Sequence, residues 1–150
     1  MAEAYPPIRE LIPHADPMVL LDELVHWAPG EARCSLTIAP GTPFVSDGAV
    51  DTIVSIEYMG QAVAACSGYA AFRGGGSIRV GMIIGCRRFD INVPTLRVGD
   101  ELMIHVHEIR AQEELSVFRC EVHRGDEAVA SAQLTLYHAE KPPGEGDPFP

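Results

Sequence analysis

Glu57 is the carboxylate best placed for acid–base chemistry in this chain. It shares a helical stripe with Ile53, Gln61 and Ala64, and among such neighbours desolvation favours the neutral, proton-donating form of a carboxylic acid. The competing reading is a carboxylate that turns to solvent or pairs with a structural arginine. Gln61 follows one turn later, where its amide either orients the Glu57 carboxylate along the helix face or satisfies backbone groups in the core. His14 sits beside Pro13 on a constrained loop, from which a fixed imidazole could project toward the helix as a base; a structural hydrogen bond explains it equally well. Asp47 and Asp51 flank the start of the helix, where capping of free backbone N–H groups is the simpler role. Gly48, between them, offers either a bare backbone that a carbonyl ligand can approach or a tight turn.

Other reactive residue types lack the spacing their chemistry needs. His105 and His107 alternate on a strand and share a face, but no third ligand accompanies them, so no metal site is expected. Cys34, Cys66, Cys86 and Cys120 are far apart and contain no C-x-x-C pair, which excludes a zinc knuckle and a dithiol redox motif and predicts buried thiols. Cys66 reads as a small core residue rather than a nucleophile. Lys141, the only lysine, stands in a Pro/Gly-rich stretch, so Schiff-base and P-loop lysine chemistry are not expected. The glycine run 74–76 follows a helix and enters a strand, the reverse of the order in a dinucleotide fingerprint.

The elements that position these residues follow from pattern and punctuation. With 150 residues, 47% of them hydrophobic, the chain suits one compact domain with a core. Residues 5–13 make one or two helical turns between prolines. Residues 18–27 and 33–39 read as strands of a hairpin turned at Pro29-Gly30. Residues 50–73 form a long helix stopped by Gly74-Gly75-Gly76. Strands at 78–86, 101–109, 115–123 and 128–137 follow, the last three as a meander. The domain is expected over residues 1–139, with residues 140–150 a disordered Pro/Gly-rich tail. The class is α+β, a sheet curled around one buried helix, and a curled sheet with free edges commonly completes itself by dimerisation.

Charge narrows the partners. The formal net charge of −10 makes a nucleic-acid binder a poor fit. Between residues 73 and 97, however, five arginines face a single carboxylate, Asp90, so one local patch suits an acidic partner. No apolar run approaches the ~20 residues of a membrane span, and residues 1–9 lack the apolar core of an export signal. The expected location is the cytoplasm.

Residues 11–22, Leu-Ile-Pro-His-Ala-Asp-Pro-Met-Val-Leu-Leu-Asp, resemble the opening of the hot-dog-fold 3-hydroxyacyl-(acyl-carrier-protein) dehydratases. Thr42-Pro43-Phe44, the helical Ile56-Glu57-Tyr58-Met59-Gly60-Gln61-Ala62, Arg88-Phe89, Pro94 and Val98-Gly99-Asp100-Glu101-Leu102 are similar, in order, to later signatures of that family. Together they span roughly residues 8–138. One departure stands out. The family's Gly-His-Phe-Pro segment, which supplies its catalytic histidine, is replaced here by residues 43–51, Pro-Phe-Val-Ser-Asp-Gly-Ala-Val-Asp, and Phe44 and Glu57 are only 13 positions apart. In this the chain is similar to the dehydratase-like proteins of aryl-polyene clusters, whose helix carries a comparable Ile-Glu-Tyr-Met-x-Gln.

The resemblance implies a hot-dog fold, a curled antiparallel sheet wrapped around one long central helix. It implies dehydration of a 3-hydroxyacyl thioester on acyl carrier protein to the trans-2-enoyl thioester, with Glu57 as acid and His14 as the candidate base. Gln61 would orient the acid, and Gly48 with nearby N–H groups would bind the thioester carbonyl. Arg87 and Arg88 would dock the carrier's phosphopantetheine arm. No cofactor beyond that arm and no metal is expected, and the assembly would be a homodimer or a hot-dog heterodimer with its acyl tunnel near the subunit boundary. The alternatives are an acyl thioesterase and a non-catalytic hot-dog partner of an active paralogue.

Overall fold

The structure, a computed structural model, describes residues 4–76 and 81–138. A single 3-10 turn at Ile8–Glu10 lies between prolines, as their fixed backbone angle favours. Strands β1 (Glu23–Ala28) and β2 (Glu31–Thr37) form a hairpin turned at Gly30, whose φ of 77° suits a residue without Cβ. A three-residue strand β3 (Ala49–Asp51) then leads through a 3-10 turn (Thr52–Val54) into the helix α1 (Ser55–Arg73). After it come β4 (Gly81–Ile91), β5 (Thr95–Arg97), β6 (Glu101–Gln112), β7 (Leu115–Arg124) and β8 (Glu127–His138).

Six strands make one antiparallel sheet in the order β1-β2-β6-β7-β8-β4, and β3 pairs separately with β5. Alternation of side chains decides which face of the sheet is buried. Leu24, Cys34, Ile104, Val122 and Ala130 lie in register across five strands, and each is buried. The helix fills the concave side of this sheet. Tyr58, Met59, Ala62, Val63, Ala65, Cys66 and Tyr69 are buried on α1, and its small residues let it lie close to the strands at some loss of intrinsic helix propensity. The Asp51 side chain accepts from Ile53 N–H at 3.0 Å and caps the approach to the helix, the capping role anticipated for it. Gly74 N–H to the Ala70 carbonyl, 3.2 Å, closes the other end.

The α+β class, the long helix, the first hairpin and the terminal meander thus match the sequence reading, while several boundaries move. The first strand begins at Glu23 rather than at residue 18, because the backbone at Met18 and Leu20 bonds to a helix side chain instead of a neighbouring strand. The helix begins at Ser55 rather than 50, since residues 49–51 pair with 95–97; strands this short carry no periodic signal. The strand after the helix runs to Ile91 rather than 86, and the proposed tail, 140–150, lies outside the described residues. Cys34, Cys66 and Cys120 are buried, but Cys86 is exposed, a correction to the expectation of four buried thiols. Cys86 stands on β4, the edge of the sheet, where no further strand covers it. Burial pushes the Cys34 and Cys66 thiols up to about 12, so neither is a nucleophile at neutral pH.

Candidate active site

The loop that follows the 3-10 turn crosses the first half of α1 and brings His14 to Glu57. His14 Nε2 lies 3.3 Å from Glu57 Oε1, and the two side chains keep 29% and 35% of their surface accessible. The pair is therefore held by the protein yet open to a ligand. Gln61, fully buried, ties the two elements together. Its Oε1 accepts from Leu20 N–H at 2.9 Å, and its Nε2 donates to the Met18 carbonyl at 2.6 Å and to Glu57 Oε1 at 3.1 Å. Because the Leu20 N–H can only donate, the amide has one orientation, with both its protons used. Glu57 Oε1 is thus engaged by Gln61 and His14, and Oε2 makes no hydrogen bond or ion pair among the described residues. His14 Nδ1 is shielded from solvent and has no protein partner there.

Comparison with known proteins agrees with this placement of residues. A family profile described as "ApeP-like: ApeP dehydratase" matches residues 6–144. The chain belongs to the ApeP-like dehydratases. It is 30% identical over 140 residues to the 3-hydroxyacyl-(acyl-carrier-protein) dehydratase FabZ of Natranaerobius thermophilus, an alignment that takes in 89% of this chain and 96% of the relative. It is similar to a structure of the dehydratase heterocomplex ApeI:P from Xenorhabdus doucetiae, with a TM-score of 0.87 and 26% identity over 92% of this chain and 94% of that one. The protein PH1136 from Pyrococcus horikoshii shares the fold at 15% identity, with a TM-score of 0.67 over 92% of this chain and 98% of that one. The hot-dog fold is therefore shared along nearly the whole chain.

The other candidate residues of this ApeP-like dehydratase lie apart from the pair. Asp47 and Gly48 have φ of 53° and 75° and form the two central residues of a hairpin turn closed by reciprocal Ser46 and Ala49 backbone bonds of 2.8 and 3.1 Å, the conformation that favours Asp-Gly. A Cβ added at Gly48 would meet nothing within 4 Å, so the backbone angle rather than a close approach calls for glycine there. Arg87 is in register with Gln133 and, through it, Arg119, on the opposite face of the sheet from buried Leu134 and hence from the helix. Arg88 has a φ of 53° at a bulge of β4, which turns the strand locally. Both are exposed, and neither forms an ion pair among the described residues.

His105 and His107, considered as metal ligands on sequence grounds, have other neighbours. His105 packs against His123 with ring centroids 4.8 Å apart, and His107 Nδ1 lies 3.4 Å from Glu31 Oε2. Burial, then the charges of His123 and Arg33, push His105 below its ordinary value. The Met18 carbonyl and Leu20 N–H, which align the His14 loop, escaped the sequence reading, because backbone partners carry no residue signature. The signal that was present is a buried glutamine one turn from a glutamate.

Proposed function

We infer that this chain dehydrates a 3-hydroxyacyl thioester carried on acyl carrier protein, with Glu57 and His14 as its acid and base. The observation that carries the reading is the Glu57–His14 pair, 3.3 Å apart and accessible, in a chain of the ApeP-like dehydratase family. Dehydration needs a base for the C2 proton and an acid for the departing C3 hydroxyl. Neutral His14 takes the C2 proton while protonated Glu57 gives its proton to the C3 oxygen; the C2–H and C3–O bonds break, a C2=C3 bond forms and water leaves. The pair is then imidazolium and carboxylate. A proton passing directly between the two groups restores the starting state without help from solvent. Glu57 Oε2, free of protein partners, is the oxygen available to the substrate hydroxyl.

The finer features rest on less. Arg87 and Arg88, exposed and without carboxylate partners, suit the phosphate of a carrier's phosphopantetheine arm, and the Gly48 turn with the helix start is the candidate for the thioester carbonyl. The outer edge of β4 carries exposed Met82, Ile83, Ile84 and Ile91 and has no neighbouring strand. A bare apolar edge of this length calls for a second hot-dog chain, identical or related. The similarity to dehydratase-like proteins of aryl-polyene clusters makes that acyl class the first substrate to try, and acyl carrier protein places the reaction in the cytoplasm.

The deciding experiment is mass spectrometry of a 3-hydroxyacyl carrier protein incubated with the purified protein, its Glu57→Gln form and its His14→Ala form. Loss of one water from the acyl group, abolished by both changes in folded protein, is the expected result. Release of free thiol instead would make the protein a thioesterase, and an untouched substrate would leave it a partner subunit. Dehydration that survives His14→Ala would remove the base and keep the acid.

A further inference from the structure

We propose that the start of α1 holds ordered internal water, bound by the hydroxyls of Thr52, Ser55 and Tyr58. All three residues are 0% exposed. Thr52 Oγ1, Ser55 Oγ and the Tyr58 phenolic oxygen are each shielded from solvent and without a hydrogen-bond partner. Buried polar groups are almost always satisfied, and an unsatisfied hydroxyl is costly in a low-dielectric interior. Three such groups within seven consecutive residues call for a shared partner.

Geometry brings them to one place. Residues spaced by three lie along one side of a helix, and Tyr58 belongs to the buried core between helix and sheet. A long helical side chain leans toward the N-terminus, over the preceding turn, which directs the phenol back toward Ser55 and Thr52. The backbone leaves the hydroxyls free: Thr52 N–H is taken by the Pro94 carbonyl at 3.1 Å, and Ile53 N–H by Asp51. Ser55 makes no bond back to an earlier carbonyl, the usual outlet for a helical serine. Water fits these requirements, since it donates and accepts and is held inside proteins by two to four polar partners. Burial pushes the Tyr58 phenol up to about 12, so it keeps its proton and can donate. Such water would pin the helix start beside the turn that carries Glu57.

A crystal structure of the full chain at a resolution that shows ordered water, together with thermal melting of Tyr58→Phe, tests the proposal. Water within hydrogen-bond distance of the Tyr58 oxygen and of at least one of the Thr52 and Ser55 hydroxyls is expected, with a lowered melting temperature for Tyr58→Phe. Ser55→Ala should lower it too, and the double variant should lose less than the two single losses combined, as groups sharing one partner do. A melting temperature that stays the same or rises would show a hydroxyl with nothing to lose. Direct bonds between protein groups with no water between them would equally overturn the proposal. Ser55→Ala supplies the reading if Tyr58→Phe does not fold. Neither measurement uses dehydratase activity, so the outcome is independent of the functional reading.

Discussion

Glu57, His14 and Gln61 act as one unit, and each substitution should fail in its own way. Glu57→Gln keeps the size and the Gln61 contact but cannot deliver a proton, so turnover should fall by about 10²–10⁴-fold with little change in stability. Single-turnover kinetics on a carrier-bound substrate measures it, and undiminished turnover would remove Glu57 from the chemistry. Gln61→Ala has the opposite signature. It leaves the buried Leu20 N–H without its acceptor and the Met18 carbonyl without its donor, so stability should drop by about 1–3 kcal/mol. Urea unfolding reads that loss, and a change within error would mean that the loop holds His14 without the glutamine.

Turns and strand junctions decide whether these residues meet. Gly48, at a φ of 75°, sits where an L side chain is strained and has open space around it, so Gly48→Ala should destabilise the protein by about 1 kcal/mol through the backbone alone. A neutral or stabilising result in thermal melting would show that the turn relaxes without loss. The β5–β6 junction is held by charge. Asp100 accepts from the Arg97 N–H and from Arg124, each at 2.9 Å. Burial pushes the Asp100 carboxyl up, but those bonds outweigh it and hold the group below its ordinary 3.8. A folded value below the unfolded one stabilises the protein above the unfolded value, and that stabilisation is lost as the pH falls through the folded value. Asp100→Asn should therefore flatten the fall in stability below about pH 4. Unfolding midpoints measured across pH 2–6 check it; an unchanged acid slope would place the pH dependence elsewhere.

At the scale of the whole molecule, an acidic chain with a net charge of −10 presents one apolar strand edge. Ile84, 56% exposed on β4, is the most accessible large hydrophobic residue there, and a charge in its place should oppose any chain that pairs with that edge. Ile84→Glu is expected to shift the protein toward monomer in analytical ultracentrifugation while circular dichroism stays unchanged. An unaltered association state would move the interface away from β4. If the wild type is itself a monomer, association should appear only with a related hot-dog chain, and the same substitution should abolish that complex.

Much of this architecture was legible in the residue order. The alternation in β6, β7 and β8, the Pro29-Gly30 turn and the small-residue helix stopped at Gly74 are local patterns, and local backbone preferences with a one-sided core enforce them. Glu57, Gln61 and His14 could be chosen as candidates by type and spacing for the same reason. What the order of residues did not determine was their meeting. His14 and Glu57 are joined by bonds from Gln61 to two backbone groups of a loop, and a backbone N–H or carbonyl looks the same at every position. The short β3–β5 pair, the later start of α1 and the exposure of Cys86 likewise depend on which segments become neighbours. Through-space pairing decides these because a short strand or a lone side chain gains its stability only from the partner that tertiary packing brings to it.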